Sequence, residues 1–258
     1  MRQLVTNIGS NSIIIVTNIG KVTIMFVKIL IAIRKFPRYI SQIVEQFVSI
    51  GRKSLILVVI TSVFVGLAIG VEIGFQMTGF TPHWTAGGLI LRTILIDLGP
   101  ITLGLVLSGR ISAGIASELG TMKVTEQIEA LRSCAIDPIE FLIMPRLIAG
   151  MVSVPVLLIF SNFISILFAY FSCDMTINLS WVAFVKGLRY SYNFNDVLIS
   201  LIKAFIFGIT IVFSGSYFGL NSQRGAKGVG KATTNSVVWS SILVFVFDYV
   251  VSLIMFYV

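Results

Sequence analysis

Four ionisable side chains fall inside long apolar runs of this sequence: Glu72, Asp97, Lys203 and Asp248. A charge in hydrocarbon costs at least about 2.5 kcal/mol to insert, so each is a candidate for handling a polar substrate group or an ion. An Asp–Lys–Asp cluster in a bundle interior offsets part of its own desolvation. Other chemistry is poorly provided for. The cysteines, Cys134 and Cys173, and the single histidine, His83, give neither zinc-ligand spacing nor a Cys–His nucleophilic pair. Both cysteines read as small packing residues. His83, in Thr81-Pro82-His83-Trp84, reads as part of an interfacial turn. Residues 225–231, Gly-Ala-Lys-Gly-Val-Gly-Lys, imitate a phosphate-binding loop, but Ala232 stands where that loop needs Ser or Thr to hold magnesium. If ATP drives this system, another subunit hydrolyses it.

Two further patterns are surfaces rather than reactive groups. From Thr121 to Arg132 the chain places Val124, Ile128 and Leu131 at i, i+4 and i+7, among Thr125, Glu126, Gln127 and other polar residues, with Glu118 just ahead. This spacing predicts a short amphipathic helix, about 118–133, too polar to insert. Such a helix either lies on lipid or docks into a groove of a cytosolic partner, and the pattern alone leaves both open. Gly66, Gly70 and Gly74 share one helix face and let another backbone come close. That backbone belongs either to the same chain or to a second copy.

The elements that must position these residues follow from composition. Of 258 residues, 56% are hydrophobic and only 12% charged, and the mean hydropathy is +0.98. Soluble domains carry about 25% charge, so a water-soluble enzyme, a disordered chain and a DNA-binding domain are all poor fits. The excess of 19 Lys+Arg over 11 Asp+Glu sits at the ends of apolar runs, where lipid headgroups explain it without nucleic acid. Spans of about 20 apolar residues are predicted near 54–78, 88–113, 141–172, 197–220 and 234–257. Strand readings fail, since these runs do not alternate and an open sheet leaves its backbone unsatisfied in lipid.

Basic residues set the orientation. Arg52, Lys53, Lys123, Arg132, Arg224, Lys227 and Lys231 fall on the side of the N-terminus, which is therefore inner. Glu72, Asp97, Lys203 and Asp248 then all lie in the outer half of the bilayer, where they can meet. Ahead of the first span, no acid precedes Glu45 and Lys28 interrupts the best apolar run. Residues 1–53 are expected to be an amphipathic interfacial segment rather than a cleaved signal, and 54–258 a single membrane domain.

The loop and its surroundings resemble a family. ELGTMKVTEQIEAL followed by DPIEFLIMPRLIAG is similar to the signature of the MlaE/YrbE permeases, the membrane subunits of MCE-type lipid ABC transporters. LGPITLGLVLSGRISAGIASE (98–118), LIKAFIFGIT (201–210) and GVGKATTNSVVWSSILVFVFDYVVSLI (228–254) match in order. The resemblance implies an all-α membrane fold of about five spans plus an N-terminal interfacial helix. It implies a homodimeric core, a cytosolic ABC ATPase bound through the loop helix, an MCE-domain protein on the outer face, and phospholipid or a related lipid as substrate. The chain itself is expected to bind no cofactor, ATP and magnesium belonging to the ATPase. One departure stands out: Ile96-Asp97 precede Leu98-Gly99-Pro100 where the family often has Arg-Glu, and Arg92 is the nearest basic residue to compensate. Ile far outnumbers Ala, which points to an AT-rich genome and favours a plastid membrane over a bacterial inner membrane. A stand-alone secondary transporter or channel using the four charges is the competing function. No paired broken-helix repeats of that class are visible.

Overall fold

The computed structural model describes Thr17, residues 20–77 and residues 82–257. Residues 1–16, position 78 of the first expected span, and Thr81 lie outside the described residues. A chain this apolar must satisfy its backbone internally, and helix is the local solution. Among the described residues eight helices follow in order: α1 (20–33), α2 (Ile40–Gln76), α3 (Thr85–Val124), α4 (Gln127–Ser133), α5 (Ile139–Ile177), α6 (Trp181–Ser191), α7 (Phe194–Leu220) and α8 (Ala226–Tyr257). Among the described residues there is no strand, and α2, α3, α5, α7 and α8 are long and apolar enough to cross a membrane.

The five spans occur in the expected order, but the helices outrun their apolar cores. The boundary expected between 53 and 54 falls inside α2, whose first turns carry Glu45, Arg52 and Lys53. Hydropathy marks only the part in hydrocarbon, whereas the helix continues into the headgroup layer. α1 is separated from α2 by a short 3₁₀ turn, Phe36–Tyr39, containing Pro37, which has no N–H to carry a helix onward. α1 does more than lie on lipid. Met25, Ile29 and Ala32 are buried, and Phe26 meets Phe213 of α7 edge to face at 6.2 Å.

α2 and α5 run parallel in close contact through the glycine face. A Cβ on Gly66 would lie 2.2 Å from the Ser165 carbonyl oxygen, and one on Gly70 would lie 2.4 Å from that of Ala169. Gly74 faces Thr176. Hydroxyls stitch the same seam: Ser165 Oγ donates to the Ser62 carbonyl at 2.9 Å and Ser172 Oγ to that of Leu67 at 2.9 Å.

α3 is not regular. It passes through π-helical turns at Thr93–Leu98 and Ser108–Ser112, and a third opens α5 at Ile139–Ile143. On the outer side, α6 was not expected from the sequence. Ser180 caps it by accepting from the Ala183 N–H, and its buried Phe184 and Gly187 pack on the start of α3. Trp84 stacks edge to face on Tyr190 at 5.2 Å, with Lys186 over its ring at 5.4 Å. Cys134 is exposed and Cys173 buried, both as free thiols.

Candidate functional site

Lys203 is the centre of the polar layer in the outer half. Its side chain is 0% exposed, and its ammonium lies 2.8 Å from Asp248 Oδ1 of α8 as an ion pair off the line of a regular hydrogen bond. It also donates to the carbonyl of Ile96 at 2.7 Å. The local sequence explains that second contact. Pro100 lies four residues after Ile96 and has no N–H to offer the carbonyl one turn back. Lys203 supplies the missing donor at the π-helical turn of α3.

The expected trio is therefore corrected to a pair plus a backbone carbonyl. Asp97 is exposed and forms no ion pair with Lys203; what α3 contributes to the ammonium is the oxygen of the residue before it. One residue step along a helix rotates the side chain by about 100°, enough to take it out of the cluster. Glu72 is exposed on α2, where Gln76 Nε2 donates to its carboxylate at 3.4 Å, and it takes no part in the cluster. Arg92 does not compensate beside Asp97 either. It pairs with the buried Asp196 of α7 at 3.5 Å, two turns outward of Lys203.

Two polar residues of this layer are invisible to a search for charges. Asn162 of α5 donates to Ser200 Oγ at 3.4 Å, and its own Oδ1 is buried without a hydrogen-bond partner among the described residues. Ser200 lies three residues before Lys203, on the same face of α7. Gly99 leaves room for the Asn162 amide, whose oxygen a Cβ there would meet at 2.3 Å. Asp196, Ser200 and Lys203 thus form a polar stripe down α7 that spacing alone would have revealed.

On the inner side, the expected single helix from Thr121 to Arg132 is broken. α3 continues to Val124, and the chain turns through Glu126, whose φ of 59° is left-handed, before α4 begins. The turn separates the residues of the predicted apolar stripe. Ile128 is 2% exposed and packs into the chain's own core, Leu131 is half-buried, and Val124 is 37% exposed. Thr121, Thr125, Glu126, Gln127 and Arg132 also face outward. Next to them a groove of about 330 Å³ opens between Met122, Leu131 and Phe141.

This platform is fastened to the spans by polar contacts. Arg146 is buried and donates to Glu118 Oε1 at 2.7 Å. Lys123 Nζ donates to the carbonyls of Leu220 and Ser222 at 2.7 and 2.8 Å, capping the C-terminus of α7. Lys35 Nζ reaches Glu140 at 2.8 Å. Ala135, just past α4, also has a φ of 59°. A left-handed L-residue costs roughly 1–2 kcal/mol, so Ala135→Gly is expected to stabilise the chain by up to about 1 kcal/mol after its entropy cost. Thermal unfolding in detergent checks this.

The Walker-like stretch, residues 225–231, opens α8 directly after the α7 span, with Gly225 at φ 88°. No strand precedes it among the described residues, whereas a Walker-type loop follows one. The family model described as Permease MlaE matches residues 43–254. The chain belongs to the MlaE permease family. It is 33% identical to a "Probable ABC transporter permease protein" of Rickettsia typhi over 249 residues, 96% of each chain. It is 27% identical over 262 residues, 98% of each chain, to the "Intermembrane phospholipid transport system permease protein MlaE" of Haemophilus influenzae. The "Probable ABC transporter permease protein ycf63" of Pyropia yezoensis is 30% identical over 232 residues, 90% of this chain and 88% of its own. As an MlaE permease the chain is a multi-pass membrane protein and a transport subunit.

Proposed function

We propose that this MlaE permease moves phospholipid between membranes as the membrane core of an ABC transporter. The observation that carries the proposal is the family match over residues 43–254, which spans all five membrane helices and the inner platform together. Two copies form the core. Each presents Thr121, Val124, Thr125, Glu126, Gln127 and Arg132 to a cytosolic-side ATPase, which holds ATP and magnesium. An MCE-domain protein on the outer face continues the lipid path. The Ile-rich composition favours a plastid membrane; relatives from Rickettsia and Haemophilus keep a bacterial inner membrane as the alternative setting.

The polar contacts of the platform support a coupling role. A push at Glu126 bears on α3, which Lys123 joins to the α7–α8 connection and Glu118 joins to buried Arg146. The π-helical turns of α3 are places where a helix yields more readily than in a regular stretch. Higher up, the Lys203–Asp248 pair gives the outer half a fixed polar point against which headgroups orient.

Docking is tested at exposed positions only, because Ile128 is buried and its replacement would damage α4 itself. Glu126→Lys and Val124→Asp are each expected to weaken ATPase binding about tenfold, or 1.4 kcal/mol, with unfolding temperature unchanged. Copurification and lipid-stimulated ATPase activity in nanodiscs read the effect. Wild-type copurification in both variants removes the docking role.

A further inference from the structure

A second cavity, of about 610 Å³, opens at the inner end of the bundle between α1, α7 and α8, far along α7 from Lys203. Its size suits a small amphipath. Along α8, Lys231, Asn235, Trp239 and Leu243 line it at every fourth position. One face of the helix therefore passes from charge to amide to indole to hydrocarbon as it rises. The twelve steps from Lys231 to Leu243 climb about 18 Å, a little over half of a hydrocarbon core of about 30 Å. α7 repeats the gradient from the other wall, with Ser222 at the inner end and Phe213 deeper.

Two observations at the inner end point to an anion. Ser222 is buried, yet its Oγ has no hydrogen-bond partner among the described residues. Its carbonyl is already engaged by Lys123, so the hydroxyl is the group left over. Lys231 is exposed at the mouth, forms no ion pair among the described residues, and faces a lining without Asp or Glu. A hydroxyl donor and an ammonium at headgroup depth, above an aromatic and aliphatic wall, are complementary to a phosphate carrying acyl chains.

We infer that this cavity binds one anionic phospholipid from the inner leaflet, its phosphate at Lys231 and Ser222 and an acyl chain along Trp239, Leu243 and Phe213. This deepens the transport reading by naming a loading site, and equilibrium binding tests it separately from transport.

The chain has three tryptophans, of which Trp84 and Trp181 lie on the outer side. Trp84→Phe/Trp181→Phe leaves Trp239 as the sole reporter in full-length protein in nanodiscs. Phosphatidylglycerol or phosphatidylcholine with dibrominated acyl chains is then titrated at matched mole fractions, without ATP or ATPase. The expected result is quenching of Trp239 at about fivefold lower mole fraction of phosphatidylglycerol, the factor of one basic residue near an anionic headgroup. Lys231→Gln removes that preference, Lys231→Arg keeps it, and Ser222→Ala weakens quenching by both lipids. Equal quenching by the two lipids, unmoved by Lys231→Gln, means ordinary annular contact and overturns the inference. Absence of quenching by either lipid overturns it too, the cavity then being filled by protein. A preserved preference combined with failed lipid transfer leaves the site standing and the transport reading refuted.

Discussion

Lys203→Met is expected to destabilise the chain by about 3–5 kcal/mol, the cost of leaving a buried charge without its partner. Two groups lose the Lys203 ammonium at once: the Asp248 carboxylate, and the Ile96 carbonyl, to which Pro100 offers no N–H. Lys203→Met/Asp248→Leu removes both charges and is expected to recover most of the loss, since a packed apolar pair often does as well as a buried ion pair. Asp97→Asn is expected to change stability by less than about 0.5 kcal/mol, as surface substitutions usually do. Unfolding temperatures of wild type, these three variants and Asp248→Leu alone in matched nanodiscs, with lipid transfer for those that fold, provide the comparison. Additive losses from Lys203→Met and Asp248→Leu would mean that the pair is energetically uncoupled.

The contrast between Asp97 and Ile96 shows how far the sequence could be read. Charges in apolar runs and their inferred depth were enough to bring Lys203 and Asp248 together, because five spans and a basic inner side fix depth along each helix. Rotation about each helix was not fixed. A π-helical turn shifts the face of everything beyond it, and hydropathy carries no mark of where such a turn falls. Pro100 was the available clue, since it leaves the Ile96 oxygen in need of a donor. The break at Glu126 was hidden for a related reason. A charged residue with φ of 59° is held there by tertiary packing of Ile128 and Leu131, against its local preference. Helix α6 escaped because its length and polarity are those of an ordinary outer loop, and only Ser180 ahead of it signals a start.

The glycine face gave two readings from sequence, and substitution separates them. Gly66→Val and Gly70→Val are each expected to cost at least about 3 kcal/mol, at the upper end for overpacking, because the obstacle is backbone. An added Cβ would meet the Ser165 and Ala169 carbonyl oxygens at 2.2 and 2.4 Å, and neither can turn aside as a side chain would. Separating α2 from α5 would also break the bonds from Ser165 Oγ to the Ser62 carbonyl and from Ser172 Oγ to that of Leu67. Gly74→Ala should be milder, since it meets the Thr176 side chain at 3.0 Å, which can adjust. A dimer seam makes the opposite forecast: folded monomers from Gly70→Val, with stability close to wild type. Unfolding temperature and native mass measured on the same samples therefore decide the matter. Loss of folded protein at Gly66 and Gly70 assigns the seam to one chain, and leaves the exposed face of α8 around Val246 and Tyr249 as the surface on which to look for the second copy.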